Sequence, residues 1–579
     1  MSEHFRYRDP LEATLATELS PEILMEHTRR IAADERESGT PGETRAFDYI
    51  ATTLERYGLT IERRQIEAFI SLPQEARITL PDGGVIHGLT HSFSASTDAL
   101  DAELIDAGDG NAEDYTRVAA AGRIALVDGL ATPGKAWTAQ SAGTLAQVFV
   151  NADHLHNMIV TTVWGTPDPH TAARIPHTPC LSVKRPDGDR LRALAQRGPA
   201  RITVTTRVKT GWTPIPHLVP HLDGRAEDRF VLLSGHVDSW HHGAMDNASA
   251  NATMMEVARL CARHRDRLRR GLRVAFWSGH SHGRYAGSAW YADHAWHELH
   301  RRCVLHLNCD STGARGAIDY GHLHATEDVQ SFAEAVVGDV TGQMSRGHRF
   351  SRAGDQSFWG AGVSSAFMSL SGVPKQDTEL SRAMSRLLGS SGFPWWWHTI
   401  DDTIDKIDAD VLALDTRVYV AATLRAVNAP LVPLDHARAA RAVVAEIETL
   451  QAAAARADLD AVLTAARRLA ERADALAVAL ASVTGNATLE RANRTLVRLS
   501  RLLVPLAYTT GDPFRHDLAL PIPPLAGLQA ARELARIDPA SDTFKFTAAA
   551  LVRESNRAVH ALDEAAELVD EFLAAKQTS

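Results

Sequence analysis

The segment 234–247, Ser-Gly-His-Val-Asp-Ser-Trp-His-His-Gly-Ala-Met-Asp-Asn, places an imidazole (His236) and two carboxylates (Asp238 and Asp246) within a few residues of one another. It follows an apolar run, Phe230 to Leu233, that reads as a buried strand. Side chains just past the C-terminal ends of strands line the crevice where open α/β sheets bind ligands. Imidazole with carboxylate suits zinc or a similar divalent ion. Three later segments repeat the pattern of an apolar run ending in donors. Residues 272–283 end in His280, Ser281 and His282; residues 304–310 end in Asp310; and Trp395-Trp-Trp-His-Thr-Ile-Asp-Asp402 carries His398. His236, Asp246, His282, Asp310 and His398 are therefore the candidate metal ligands. Five such groups, one carboxylate bridging, suffice for two ions a few ångströms apart. The chain has 27 His, so one histidine beside a strand says little; the recurrence of the set is the signal.

These residues resemble the metal positions of the co-catalytic zinc exopeptidases (metallopeptidase family 28). The Asp238-Ser239-Trp240 run after His236 is similar to the glutamate carboxypeptidase and transferrin receptor branch. The resemblance implies that His236, Asp246, Asp310 and His398 hold metal, with Asp246 as the bridge, and that Asp238 orients the metal-binding histidine. Zinc is implied by the resemblance; manganese, iron, cobalt and nickel are open to a histidine-rich set.

One segment departs from the family. Relatives place Gly-Ala-Glu-Glu after the second strand, the first glutamate as general base and the second as ligand. Counting back from Gly287-Ser288 puts Ser281 at the base and His282 at the ligand; counting forward from the strand shifts the register and puts His280 at one of them. Imidazole can replace carboxylate as a ligand. An unaided serine hydroxyl cannot act as a base near neutral pH, so peptide hydrolysis by the family's usual route is in question, and His280, Ser281 and Asp238 are the candidate catalytic residues.

The elements that must position these groups are legible along most of the chain. Thr40-Pro-Gly-Glu43 reads as a capping box opening a helix with Phe47, Ile50, Leu54 and Tyr57 on one face and Gly58 at its end. Residues 61–210 carry short strand signals, among them 122–128, 146–150 and 201–205, and resemble an inserted β-rich protease-associated domain. Residues 1–60 and 211–430 then form an α/β, mixed-sheet catalytic domain. Pro430 and Pro433 mark the passage to residues 431–579, whose Val443, Ile447, Leu450, Leu459, Val462, Leu463 and Leu469 recur at helical spacing. This tail resembles the branch's helical dimerisation domain, so a homodimer is expected.

Composition bounds the partners. A chain of 579 residues exceeds one core. Its net charge is −10, from 61 basic and 71 acidic residues, which implies no general affinity for nucleic acid. Cys180, Cys261, Cys303 and Cys309 are too few and too scattered for a disulfide framework. The first residues lack an apolar secretory core and no segment reads as a membrane span, so a cytoplasmic location with no membrane partner is expected.

On the substrate side, the segment 362–371 holds Phe367 and Ser369 where acid-cleaving relatives carry arginines, and the tryptophans ending at Trp397 precede His398. Trp397 and Phe367 are the candidate substrate contacts, read equally as core packing. The leading expectation is a metal-dependent hydrolase cleaving an amide or related C–N bond of a small molecule or peptide. The alternatives are a catalytically silent dimeric binding protein and a metalloenzyme of another reaction class on the same scaffold.

Overall fold

The computed structural model describes residues 6–350, 352–375, 381–382, 392–454 and 456–577. Its centre is a run of parallel strands in the order Ser365–Ala366, Cys303–Asn308, Phe230–His236, Gly271–Trp277. Phe230–His236 is buried at every residue, as a strand covered on both faces must be, which explains its unbroken apolar run. Parallel pairing brings the C-terminal ends to one edge. Past them lie the turn 278–283, Asp310 and Met368, and the loop carrying Asp246 follows His236.

The sheet continues through antiparallel strands, which makes it mixed. Arg63–Thr79 and Arg201–Leu218 pair from Arg63↔Leu218 to Thr79↔Thr203, with a register shift at Pro73/Glu75. This ribbon carries the same sheet on into strands Thr97–Asp106, Ile124–Asp128, Ala146–Val150 and Cys180–Val183, beside an apolar cluster of Ile78, Leu104, Leu126, Val148 and Leu181. Strand Arg201–Leu218 crosses the expected boundary at 210/211 without interruption, so the sheet is continuous through it.

The helix Pro41–Arg56 forms as expected, with Phe47, Ile50 and Leu54 fully buried. Its start is not a capping box. The Thr40 hydroxyl donates to the Glu37 carbonyl, and Glu43 accepts instead from the Gly39 amide. Cys303 and Cys309, six residues apart, pack into different apolar clusters, because the strand shifts register beside Phe230.

Beyond Ala409–Asn428, helices His436–Ala453, Asp460–Leu480, Asn486–Tyr508 and Asp542–Gln577 pack as a bundle. Val443, Ile447, Leu450, Leu459, Val462, Leu463 and Leu469 are all buried, as their spacing requires. The bundle is tied to the sheet by Arg501, whose guanidinium donates to the carbonyls of Leu299, His300, Cys303 and Gly362. Among the described residues no helix is long and apolar enough to cross a membrane.

Candidate metal centre

Four of the expected ligands meet at the C-terminal edge of the parallel strands. Asp246 lies between two histidines: one oxygen is 3.0 Å from His236 Nε2 and the other 3.1 Å from His398 Nε2. Asp310 approaches His236 Nε2 at 3.7 Å. Each histidine is fixed through its other nitrogen. His236 Nδ1 donates to the Asp238 carbonyl at 2.7 Å, and His398 Nδ1 to the Asn157 carbonyl at 2.7 Å. These bonds leave Nε2 facing the carboxylates, which is the tautomer a metal-binding histidine needs.

The residues fit a divalent cation. His236 Nε2 is buried and makes no hydrogen bond, although a carboxylate oxygen lies 3.0 Å away. Burial alone would push the His236 pKa down, yet Asp246 and Asp310 hold it well above the ordinary imidazole range. Burial likewise opposes ionisation of Asp246, and the two histidines overcome it, holding it well below the usual carboxylate range. The cluster thus favours positive charge between its donors.

The loop that delivers Asp246 is held by residues distant in sequence. The Arg36 side chain is fully buried and donates to five carbonyls, those of Ile31, Asp34, Val237, His242 and Gly243. The Asp402 carboxylate accepts from the Met245 and Asp246 amides at 2.9 and 3.0 Å. Burial, then the nearby Asp246 charge, raise Asp402 to about 7. Gly243 has φ 45°, and a Cβ there would stand 2.2 Å from the Asp246 carbonyl oxygen. Asn247 bridges the two ligand loops, donating to the Cys309 carbonyl and accepting from the Ser311 amide.

The 280–282 segment resolves the two registers left open by the sequence. His280 enters the site. Its ring stacks on His236 with centroids 3.7 Å apart, and His236, His280 and Asp310 bring one donor atom each within 4.8 Å of one another. Its Nδ1 lies 2.8 Å from Asp355 Oδ2, and Asp355 is buried and also accepts from Ser288 at 2.7 Å. His282, expected as a ligand, lies outside this cluster. Its ring packs on Trp240 and its Nδ1 meets the Ser38 hydroxyl at 3.1 Å. Of the two histidines, His280 is the one grouped with His236 and Asp310, while His282 is engaged by Ser38 and Trp240.

Ser281, the other candidate at the base position, is buried and is held through its backbone amide, which donates to Asp238 at 2.8 Å. It does not line the cavity described below. Asp238 also departs from its expected role. Its carboxylate is 4.0 Å from His236 Nδ1, and it accepts instead from the Ser38 hydroxyl and the His280 and Ser281 amides. The backbone carbonyl of Asp238 orients His236, while its side chain pins the 280–282 turn.

Asp246, His280, Asp310 and His398 open into a cavity of about 270 Å³. Trp397 lines it, stacked on His398 at 3.5 Å. Phe367 does not: it is fully buried with its ring against Tyr419, and the neighbouring Met368 faces the cavity instead. Left-handed backbone at non-glycine residues recurs around the site, at His241, Arg284, Tyr285, Ser311, Phe367 and His398, with φ between 47° and 70°. Such conformations store strain of ~1–3 kcal/mol each and concentrate where geometry serves function.

Sequence reasoning missed Arg36, Asp355 and Asp402. The approach of Arg36 and Asp355 depends on contacts between distant segments and leaves no local pattern. Asp402 had a signal, a carboxylate four residues after His398 in the same loop.

Residues 217–423 match the sequence profile of Peptidase family M28. The chain is 24% identical over 540 residues to a probable glutamate carboxypeptidase of Zea mays, covering 77% of this chain and 73% of that protein. It is 24% identical over 283 residues to a probable lipoprotein aminopeptidase of Mycobacterium tuberculosis, covering 48% and 54%. Among solved structures, a zinc aminopeptidase from Bacillus subtilis superposes with a TM-score of 0.55 at 22% identity, over 71% of this chain and 96% of its own. An aminopeptidase from an Aneurinibacillus strain gives 0.55 at 20% identity, over 72% and 96%. At these identities the structures establish a shared fold.

Proposed function

We propose that this chain, which contains a peptidase family M28 domain over residues 217–423, is a metal-dependent hydrolase that cleaves an amide or peptide bond with His280 as proton acceptor. The observation that carries the reading is the Asp355–His280 pair aimed at the carboxylate and histidine cluster. His236, Asp246, Asp310 and His398 would hold the metal, with Asp246 giving one oxygen to each side. A bound zinc or similar ion supplies a water of lowered pKa and polarises the scissile carbonyl.

The protein's own groups do the rest. Asp355 fixes the proton of His280 on Nδ1, which leaves the Nε2 lone pair directed at the cluster. That nitrogen takes the proton of the attacking water and passes it to the leaving amine, the work a carboxylate does in related peptidases. The Asp238 carboxylate holds the His280 amide, which keeps the ring stacked on His236. The names of the relatives, a glutamate carboxypeptidase and an aminopeptidase, support a peptide or small amide as substrate.

The donors are unequal between the two sides of Asp246. His236 and Asp310 serve one side, whereas among the described residues only His398 is paired with Asp246 on the other. We therefore assign one tightly held ion and a second, weaker position. The helical tail, with Val478, Phe546 and Val552 exposed, supports a homodimer through residues 434–577. The segments at Thr132–Gly134 and Met158 reach the cavity, which supports a covering role for residues 61–210.

The test is elemental analysis of protein never exposed to chelator, joined to hydrolysis of dipeptides, N-acyl amino acids and amino-acid anilides. We expect at least one divalent ion per chain, and turnover abolished by chelation and restored by zinc. Protein that carries no metal, and takes up none from zinc, manganese, iron, cobalt or nickel, would falsify the reading.

A further inference from the structure

Residues 61–210 do more than wall the metal-facing cavity. The segment that leaves strand Ala146–Val150 is anchored among the outer strands, where the Asn151 side chain donates to the Gly129 carbonyl and accepts from the His156 amide. It then grips the loop that carries His398. His156 Nδ1 donates to the Trp397 carbonyl at 2.7 Å. Asn157 and His398 hold each other twice. The Asn157 amide donates to the His398 carbonyl at 2.9 Å, and the Asn157 carbonyl accepts from His398 Nδ1 at 2.7 Å. His398 is left-handed at φ 59°, a conformation that persists only where its surroundings fix it.

The Asn157 side chain reaches the opposite loop. Its Oδ1 accepts from His241 Nε2 at 3.0 Å, and His241 lies between Asp238 and Asp246 in the loop that delivers Asp246. Asn157 is buried, so water competes little for this bond. One residue thus ties together the loops of Asp246 and His398, the two donors of the weaker metal position, whose facing atoms are 3.1 Å apart. Asp402 joins the same loops from the far end of the 398–402 turn, and Asn157 closes the tie at His398 itself. The tighter position is held by other contacts: the Asp238 carbonyl fixes His236, and Asn247 bridges to the Asp310 loop.

The same segment runs on as a brace. The Ser92 amide donates to the Met158 carbonyl at 3.1 Å, and the Val160 amide to the Ser92 carbonyl at 3.0 Å. The Ser92 hydroxyl donates to the Ser71 carbonyl at 2.7 Å, and the Ser71 amide to the His282 carbonyl at 2.8 Å. A run of hydrogen bonds through residues 71–160 therefore connects the His398 loop with the 280–282 turn, and Met158 and Ile159 line the cavity between them. We infer that Asn157 is a positioning residue of the metal centre: its carbonyl aims His398, its side chain locks that carbonyl to the Asp246 loop, and together they set the affinity of the weaker metal position. The inference rests on the metal-dependent reading above and gives residues 61–210 a part in building the site as well as covering it.

The test reads metal binding, not turnover. The metal-free full chain is titrated with zinc against a competing chelator, which separates the two binding constants. We expect Asn157→Ala to weaken the second equivalent by about tenfold, the low end of what loss of an outer partner costs a metal site, and to leave the first unchanged. Asn157→Asp keeps an oxygen for His241 and should restore the second constant. His241→Asn breaks the same bond from the other end with a residue that suits left-handed backbone. It should reproduce the effect of Asn157→Ala and add little to it in the double variant; if Asn157→Ala does not fold, His241→Asn decides alone. An unchanged second constant in the single variants overturns the inference. So does equal weakening of both equivalents with a lowered melting temperature, which is the mark of a purely structural role. Wild-type protein with a single zinc site overturns it while leaving the hydrolase reading standing, whereas wild-type protein that binds neither zinc, manganese, iron, cobalt nor nickel removes both.

Discussion

Replacing Asp355 with asparagine separates the two roles open to His280. Among the described residues Asp355 makes no hydrogen bond to His236, Asp246, Asp310 or His398. Its Oδ2 holds His280 Nδ1 at 2.8 Å and its Oδ1 accepts from Ser288, with the side chain only 1% exposed. Asparagine keeps the shape and one acceptor but removes the charge. If His280 accepts the water's proton, it becomes an imidazolium in the transition state, and the lost interaction is one between a buried carboxylate and that cation. A hydrogen bond to a charged group is worth about 1.5–3 kcal/mol. At about 1.4 kcal/mol per tenfold, kcat should fall by roughly 10- to 150-fold. His280→Gln removes the acceptor itself and should cost ~10²–10⁴-fold.

In both variants KM should stay close to wild type, and the tightly held ion should remain. The assay is steady-state kinetics on the best substrate of the panel, with metal content determined on the same samples. Loss of that ion in His280→Gln would mean that the histidine is a ligand, and the proton-acceptor argument would fail. Unchanged kcat in both variants would refute it equally, whatever the metal content.

Other outcomes follow from the same geometry. Arg36→Met leaves up to five buried carbonyls without a donor, at about 1–3 kcal/mol each before relaxation; urea denaturation should show a loss above ~4 kcal/mol or no folded protein, and a loss under 1 kcal/mol would contradict the role given to Arg36. Phe367→Ala should cost ~3–5 kcal/mol of stability as a core truncation and leave KM alone, whereas Met368→Ala should move KM; the reverse pattern would show that Phe367 is the substrate contact after all. Ser281→Glu would set a new carboxylate in a buried turn beside Asp238, so it should destabilise the fold and create no efficient peptidase, and strong metal-dependent turnover would defeat this reading. Acid should destabilise the protein below pH 6.5. Burial lowers His91, His217 and His306 to about 3 and His27 and His156, also by burial first, to about 4. Each stays neutral when folded, so its contribution is present above the unfolded value of 6.5 and is lost as pH falls toward the folded one. Asp402 and Asp415, raised chiefly by burial to about 7 and about 6, work the other way below those values, and Glu43, also raised by burial, acts in the same direction. Histidines lowered by burial, His241, His300, His348 and His436 among them, outnumber the raised groups, so unfolding takes up protons near pH 5.5 and stability falls with acid, and a flat urea midpoint between pH 6.5 and 5 would be inconsistent with it.

What the sequence made legible follows the range of the interactions. Strand ends and their donors are local, so an apolar run followed by His236 or Asp310 could be read directly. Helical periodicity likewise exposed the buried stripe of the C-terminal bundle. The 280–282 turn was ambiguous because three adjacent residues, two of them histidines, offered two registers, and a one-residue shift decides which imidazole meets the metal. The tertiary partners settle it: Asp355 draws His280 into the site, and Ser38 and Trp240 hold His282 outside. Phe367 failed as a substrate contact for a related reason. Position along a segment does not say which side chain faces a cavity, and here Met368 does.

The altered base position makes physical sense when the whole site is considered together. A second carboxylate in place of His280 would add negative charge beside Asp238, Asp246 and Asp310, near Glu43 and Asp402, whose ionisation burial already opposes. An imidazole avoids that repulsion, because it is neutral when it accepts the proton and cationic only when the cluster most favours positive charge. It needs its own anchor, and Asp355 supplies one from the far side of the ring, away from the metal position. The change from carboxylate to histidine is therefore linked to Asp355, and the pair should act as a unit. In a double-mutant cycle, Asp355→Asn should cost little in kcat once His280 is glutamine; a full and additive loss would mean that Asp355 acts on the site by some route other than His280.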